Sequence, residues 1–323
     1  MRILVTGAAG LIGGALVTRL AGLGHTVSAL VRNSRPRDRP DGVVWIEGDV
    51  RLPMLGAEAV ARRGLDAVVH CAAVTGFGLP DAAYQAVNVD GTARAIEFAR
   101  AANARLLYVS TAYVCGTRDG VITEGERDCG QSFTNGYEAS KAQAEALVAA
   151  TQGAIARPSI VTGAWLDGSI AYFSGVYTLF GLIGSGRIAV YSAAPGAAID
   201  LVPIDHVVDG LVDITERIEA AAGRVFHLVS GDPVPIATLH GIATEHPRLR
   251  PSRLMRSGEG PAPAAGPAMR LYASYFTRAP RFEARNLPQL SGRVCPPVDA
   301  AYLGRMIDFA VGAGVLGNSR TSG

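Results

Sequence analysis

The chain has 323 residues, 49% of them hydrophobic and 18% charged, with 39 glycines, which excludes a disordered or fibrous polymer and allows a large buried core. Thirty basic side chains against 28 acidic ones give a formal net charge of +2, so neither nucleic acid nor an anionic membrane is expected as a partner. Cys71, Cys115, Cys129 and Cys295 form no CxxC or zinc spacing, Arg19 interrupts the apolar N-terminus, and no eighteen apolar residues run together; no metal, disulfide framework, signal peptide or membrane span is expected, and the chain reads as cytoplasmic.

The first predicted element is the strand RILVTG, running into a helix over Leu11 to Leu23. Gly7, Gly10 and Gly13 form G-x-x-G-x-x-G across that junction. Glycine there permits a tight turn and close approach of backbone amides to a pyrophosphate, which sits at the positive end of the helix. Leu11 and Ile12, inside the repeat, are counted with the glycines as cofactor-binding positions. The bland alternative is glycine used for packing helix on strand.

The second strand, TVSALVR, ends at Arg32, followed by Asn33 and Arg35. An NAD site would carry an acidic residue here for the ribose hydroxyls. A guanidinium instead pairs with a 2′-phosphate, so NADP (as NADPH) is the expected cofactor. A solvated basic loop competes with this reading, since Arg37 and Arg39 continue the run. The third strand, VVWIEGD, ends at Asp49, placed to accept from an adenine amino group, with Val50 beside it. The fourth, LDAVVHCAA, contributes Ala72 and Ala73 to the same set; His70 within it reads as a packed strand-end residue.

A helix near Asn88 to Ala102 precedes the strand ARLLYVSTA, which brings Ser110 and Thr111 to the carboxyl edge of the sheet, where ligands bind in such folds. Thr111 is the expected partner of the reacting oxygen, a strand-end cap being the alternative. On the next helix, Lys141 follows Tyr137 by four residues, so the two are neighbours on one face. Lys141 is the only lysine of the chain. With ten tyrosines in 323 residues, chance would put it in that position in roughly three cases per hundred. A fixed ammonium lowers a phenol from its ordinary pKa near ~10 toward the neutral range, and as a compact donor it can also hold vicinal ribose hydroxyls. The strand AIARPSIVTG adds Pro158 to the cofactor-binding positions.

Strand and helix in strict turn, with nearly continuous apolar strands, predict an α/β fold: a doubly wound parallel sheet of the Rossmann type with a small C-terminal substrate lobe. The dinucleotide-binding core is expected over residues 1–165, with 201–231 returning to the sheet through GRVFHLVSG and a helix from about Asp205 to Ala222. Residues 166–200 and 232–323 read as loops and short helices of the lobe, closed by a helix at Ala300 to Gly312 and containing the flexible loop Ser257 to Ala268. Tyr172, Phe173, Tyr177 and Phe180 either line a hydrophobic pocket or fill the lobe's core. The basic run Arg248 to Arg256 is either a solvated loop or a contact for an acidic carrier protein.

Seven motifs in order, TGAAGLIG at Thr6, GDV at Gly48, HCAA at His70, NVDGT at Asn88, VSTAYVCG at Val109, YEASK at Tyr137 and ARPSIVTG at Ala156, resemble the extended short-chain dehydrogenase/reductase family. Within it, VSTAYVCG, FTNGYEASKAQAE, RPSIVTG and DLVPIDHVVDGL are most similar to the thioester-reductase and fatty-acyl-reductase branch with its male-sterility-type NAD-binding domain. The resemblance implies Tyr137 as catalytic acid/base, Lys141 as its activator and ribose clamp, Thr111 as the substrate-oxygen partner, and NADPH-dependent reduction of an acyl thioester, aldehyde or ketone, free or bound to a carrier or CoA. It also implies, by analogy, a homodimer through the helix bearing Tyr137. Cys115 departs from the tyrosine of the family's V-Y-G motif. Ala112 and Tyr113 replace the acidic pair of sugar-nucleotide dehydratases. A nucleotide-sugar epimerase holding NAD, and a regulator that binds NADP without catalysis, are the alternatives.

Overall fold

The computed structural model describes residues 1–32, 40–173, 175–259 and 272–316. Its centre is a sheet of seven strands: β1 (Arg2–Thr6), β2 (Thr26–Val31), β3 (Val43–Glu47), β4 (Ala67–His70), β5 (Arg105–Val109), β6 (Ala154–Pro158) and β7 (Val225–Leu228). All neighbours are parallel, in the order β7-β6-β5-β4-β1-β2-β3. The doubly wound parallel sheet expected from the sequence is therefore present. The chain order reverses between β1 and β4, and the crevice at the carboxyl ends of the strands there is where such sheets bind ligands.

The longer helices are α1 (Leu11–Gly22), α2 (Asp90–Ala101), α3 (Gly136–Ala149), α4 (Val176–Gly184), α5 (Ile204–Glu216), α6 (Ile236–Glu245) and α7 (Ala300–Gly312). Because successive strand residues point to opposite faces, Ile3 and Val5 join Leu16, Val17, Leu20 and Leu211 on the α1/α5 side. Leu4 joins Phe98, Ala144 and Val148 on the α2/α3 side. Both faces are apolar and covered, which is why these strands read as nearly continuous hydrophobic runs rather than alternating ones.

The lobe has its own core, in which Tyr177, Leu179 and Ile183 of α4 meet Leu239 of α6 and Leu303, Met306 and Ile307 of α7. Loops and short helices are the expectation for 166–200 and 232–323, and α4 spans nine residues and α6 ten. Both carry glycine and several β-branched or aromatic residues, so local helix propensity is weak and burial of an apolar face supplies what it lacks. A parallel pair, Val190–Ala193 with Arg253–Arg256, completes the lobe. The part of the expected flexible loop from 260 to 268 lies outside the described residues.

Two predicted elements are divided in the structure. AIARPSIVTG breaks at Ser159: β6 stays in the large sheet, while Ile160–Thr162 pairs with Leu201–Pro203. The helix expected from Asp205 to Ala222 ends at Glu216, where Arg217 leaves helical geometry (φ −113, ψ 32) before a short turn at Ile218–Ala221.

Candidate active site

The first turn of the site is built around Gly7, at φ +65. A side chain there would put its Cβ 2.7 Å from the backbone nitrogen of Ala72, so the residue is held to glycine by conformation and by the approach of the β4 end. Gly13 faces the Gly7 carbonyl across a gap too small for a Cβ. Gly10 caps α1 without any side-chain hydrogen bond, which leaves the first amides of the helix without intrahelical partners. This glycine-only cradle at a helix N-terminus has the donor set and the open backbone that a dinucleotide pyrophosphate requires.

A cavity of about 330 Å³ runs from that turn along the carboxyl ends of the strands. Of the sequence-predicted positions it brings together Gly7, Gly10, Arg32, Asp49, Val50, Ala72 and Ala73. Leu11 and Ile12 do not line it; their side chains pack against the core. Gly13 and Pro158 are buried away from it. Asn33, Arg35, Arg37 and Arg39 lie outside the described residues. Asp49 lines the cavity, but its carboxylate is already engaged by Arg51, whose Nε and Nη2 donate to it at 3.0–3.1 and 2.6 Å. That guanidinium holds the Asp49 carboxyl below its usual range, with Arg32 adding to the effect. Arg51 was not anticipated from the sequence, although a basic residue two positions after a strand-end aspartate is a readable signal.

Thr111, just past the end of β5, and Tyr137, in the first turn of α3, stand together; neither is among the residues that line this cavity. Burial pushes the Tyr137 phenol above its ordinary range, Glu138 adds to the rise, and a hydrogen bond with Thr111 works against it. Lys141 is buried, and its Nζ donates to the Val109 carbonyl at 2.6 Å while lying 4.1 Å from the centre of the Tyr108 ring. Desolvation lowers its pKa to about 7. The expectation of a phenol tuned downward by the lysine is therefore not what the chain alone shows. With one carbonyl and a ring face around it, the ammonium is itself strained toward neutrality, and burial governs the phenol.

Asn88 is a further residue that the sequence reading passed over as part of a motif. It accepts from the Val74 amide at 2.8 Å and donates to the Val74 carbonyl at 3.1 Å and to Ser140 Oγ at 2.9 Å. Ser140 in turn donates to the Tyr137 carbonyl at 2.8 Å. One buried amide thus ties the cavity wall at Val74 to the helix carrying Tyr137 and Lys141.

A second cavity, in the lobe, opens beside Tyr137 across an aromatic group: the Phe77 ring is 6.4 Å from that of Tyr137, 6.3 Å from Tyr275 and 5.6 Å from Tyr272. Beyond these rings its wall includes Val176, Leu179, Phe180, Ile183, Ile236 and Leu239. Among the described residues it has no charged side chain. Of the four aromatic residues left between pocket and core, Phe180 lines this cavity, Tyr177 is buried and accepts from the Gly163 amide, Phe173 packs on Tyr177 and Phe309, and Tyr172 is exposed. Arg248, Arg250, Arg253 and Arg256 are exposed.

Residues 37–211 match the family model of the male sterility protein. The chain is 32% identical over 255 residues to a 2-alkyl-3-oxoalkanoate reductase of Stenotrophomonas maltophilia, covering 74% of this chain and 73% of that one. Among solved structures, the terminal R domain of a myxalamid PKS-NRPS pathway superimposes with a TM-score of 0.80 at 25% identity, over 98% of this chain and 91% of that one. A UDP-galactose 4-epimerase shares the fold at 20% identity, with a TM-score of 0.73 over 97% and 99% of the two chains. The glycine cradle, the parallel sheet and these likenesses agree: the chain is an NAD(P)-dependent oxidoreductase and belongs to the extended short-chain dehydrogenase/reductase family, in its thioester-reductase-like branch.

Proposed function

We propose that the protein is an NADPH-dependent reductase of ketones, aldehydes or acyl thioesters that carry an extended apolar group. The observation that carries this reading is the lobe cavity: it begins at the aromatic rings next to Tyr137 and continues among aliphatic side chains with no charged group. A hydrocarbon chain is stabilised there by roughly 25 cal/mol per Å² of apolar surface removed from water. A nucleotide sugar would need cations or donors for its diphosphate at the same place, which is why the reductase reading is preferred over the epimerase one despite the shared fold.

In this reading Gly7 and Gly10, with the amides of Leu11 and Ile12 at the start of α1, hold the pyrophosphate, and Arg32 pairs with the 2′-phosphate. NADPH, when bound, supplies the hydride. Thr111 holds the substrate carbonyl oxygen and stabilises charge developing on it, and the Tyr137 hydroxyl gives that oxygen a proton. Lys141, on the same helix, holds the ribose hydroxyls of the bound cofactor. A small molecule, free or carried by CoA or a carrier protein, is the expected partner.

The test is NADPH consumption by the purified chain over a homologous series of 3-oxo acids, their thioesters and aldehydes. The expected result is kcat/KM rising with chain length and NADPH preferred over NADH. Tightly retained NAD released on denaturation, with interconversion of UDP-sugars and no net NADPH consumption, would overturn the proposal in favour of an epimerase.

A further inference from the structure

Glu138 follows Tyr137 in the first turn of α3 and is fully buried. Its Oε2 accepts from the Thr134 amide at 3.2 Å and the Thr134 hydroxyl at 3.0 Å; its Oε1 accepts from the Tyr275 hydroxyl at 3.2 Å. Nη2 of Arg278 lies 3.8 Å from the same Oε1. Arg278 is only 7% exposed, and none of its three guanidinium nitrogens has a hydrogen-bond partner among the described residues. Instead the guanidinium lies 5.7 Å from the centre of the Tyr275 ring and 5.9 Å from that of Tyr113. A dehydrated cation held by one carboxylate and two ring faces is costly, and removing its carboxylate partner would leave the charge uncompensated.

The segment carrying these side chains is fixed to the lobe through its backbone, since Ala194 donates to the Phe276 carbonyl at 2.8 Å and Ala198 to that of Arg278 at 3.1 Å. Through its side chains the same segment is fixed to α3. Tyr275 also forms part of the wall of the apolar cavity and stacks on Phe77, which faces Tyr137. The wall of the substrate cavity and the reacting phenol are thus joined by one short stretch, 275 to 278.

We propose that Tyr275 and Arg278 are positioning residues: with Glu138 they clasp the cavity wall to the first turn of the catalytic helix, and Arg278 is the counter-charge that keeps the Glu138 carboxylate from opposing phenolate formation at Tyr137. This rests on the reading of Tyr137 as the proton donor. The groups facing that phenol are Glu138 from its own helix and Thr111 and Tyr108 from the end of β5, while Lys141, four residues on, turns its ammonium to the Val109 carbonyl; facing Glu138 are Thr134, Tyr275 and Arg278, with Tyr113 and Cys115 behind the guanidinium. Glu138 is the carboxylate of this group, and it raises the phenol. Because the Arg278 nitrogens are closed off from solvent, the effect passes through Glu138 and not through contact with substrate.

The experiment compares pH profiles of kcat/KM and the separate kcat and KM values for the native chain and for Arg278→Met, Arg278→Lys, Glu138→Gln, the Glu138→Gln/Arg278→Met pair and Tyr275→Phe, with thermal unfolding as the check on folding. Arg278→Met is expected to move the alkaline limb up by about one unit and lower kcat about tenfold with little change in KM, since an opposite charge in contact shifts a titration by about 1–3 units and this one reaches the phenol only through Glu138. Arg278→Lys should restore the native limb, Glu138→Gln should move it down, and the double variant should return it close to native. A limb that stays in place in both Arg278→Met and Glu138→Gln while activity falls equally at every pH would overturn the proposal. If Arg278→Met fails to fold, Glu138→Gln and Tyr275→Phe decide: an unmoved limb in the first with unchanged kcat in the second contradicts it. Tyr137→Phe separates this outcome from failure of the functional reading: full activity there sinks the function itself, whereas an inactive Tyr137→Phe with an unmoved limb in Glu138→Gln sinks the clasp alone.

Discussion

At the end of β4, His70 has both ring nitrogens committed. Thr92 donates its hydroxyl proton to the Asn88 carbonyl, so it accepts from Nε2–H of His70; Thr6, which accepts from the Ala72 amide, donates to Nδ1. His227 takes the opposite tautomer, because Arg157 donates to its Nε2 and its Nδ1–H donates to the Glu283 carbonyl at 2.7 Å. Both rings are neutral, and burial lowers each to a pKa of about 3. These folded values lie below the unfolded one near 6.5, so their contribution to stability is complete above pH ~6.5 and is lost as pH falls toward 3, by about 1.4 kcal/mol per unit for each ring. Unfolding midpoints measured between pH 7 and 4 should fall accordingly, and His227→Gln should flatten the slope; a slope unchanged by that substitution would contradict the assignment. At this scale the packed reading of His70 and the placement of Tyr137 and Lys141 on one helix were legible from residue type and spacing, whereas the turn of the Lys141 ammonium toward the Val109 carbonyl and the Tyr108 ring was not. The direction in which Tyr137 titrates was not, because it depends on how dry the site is, and four-residue spacing carries no information on desolvation.

Elements deliver these residues to one place, and two of their joints can be tested. The β1–α1 turn needs glycine at position 7. Gly7→Ala should cost about 1–2 kcal/mol from the left-handed backbone alone, and more from the encounter with Ala72, while raising the Kd for NADPH; native-like binding by fluorescence titration would contradict this. On the other side of the sheet, Arg157 of β6 is buried and forks onto Glu145 of α3 at 2.6 and 2.9 Å, also donating to the Glu126 carbonyl. Removing one partner leaves an uncompensated buried charge, so Arg157→Met should lower stability by about 3–5 kcal/mol in denaturant melts, with no change if the pair were solvated. The alternation of strand and helix was readable because both sheet faces are covered and every strand is apolar. The break at Ser159 was not, since it is set by Asp200, which accepts from Ser159 and from the Ser230 and Gly231 amides, contacts distant in sequence. The bounds of helix α6 were not legible for a related reason: its weak local propensity is overridden by packing against α7 and α4, which no single segment encodes.

Across the whole molecule the sheet carries the glycine cradle, and in the proposed reading the lobe selects what is reduced. The cleft followed from motifs in the first half of the chain, whereas the lobe's cavity is assembled from residues between Phe77 and Phe276 and shows no local pattern. If that cavity receives the apolar end of the substrate, Leu179→Trp should lower kcat/KM about tenfold or more for long-chain carbonyls and leave short ones nearly unchanged, as a loss of 1–3 kcal/mol of apolar contact would; equal losses at every length would place the chain elsewhere. The account as a whole depends on Tyr137 protonating the carbonyl oxygen beside the nicotinamide. The most direct measurement is the rate of NADPH consumption by Tyr137→Phe on the best long-chain substrate, alongside its Kd for NADPH: the account predicts a fall in kcat of about 10²–10⁴ with cofactor binding retained, and a rate equal to that of the native chain would contradict it.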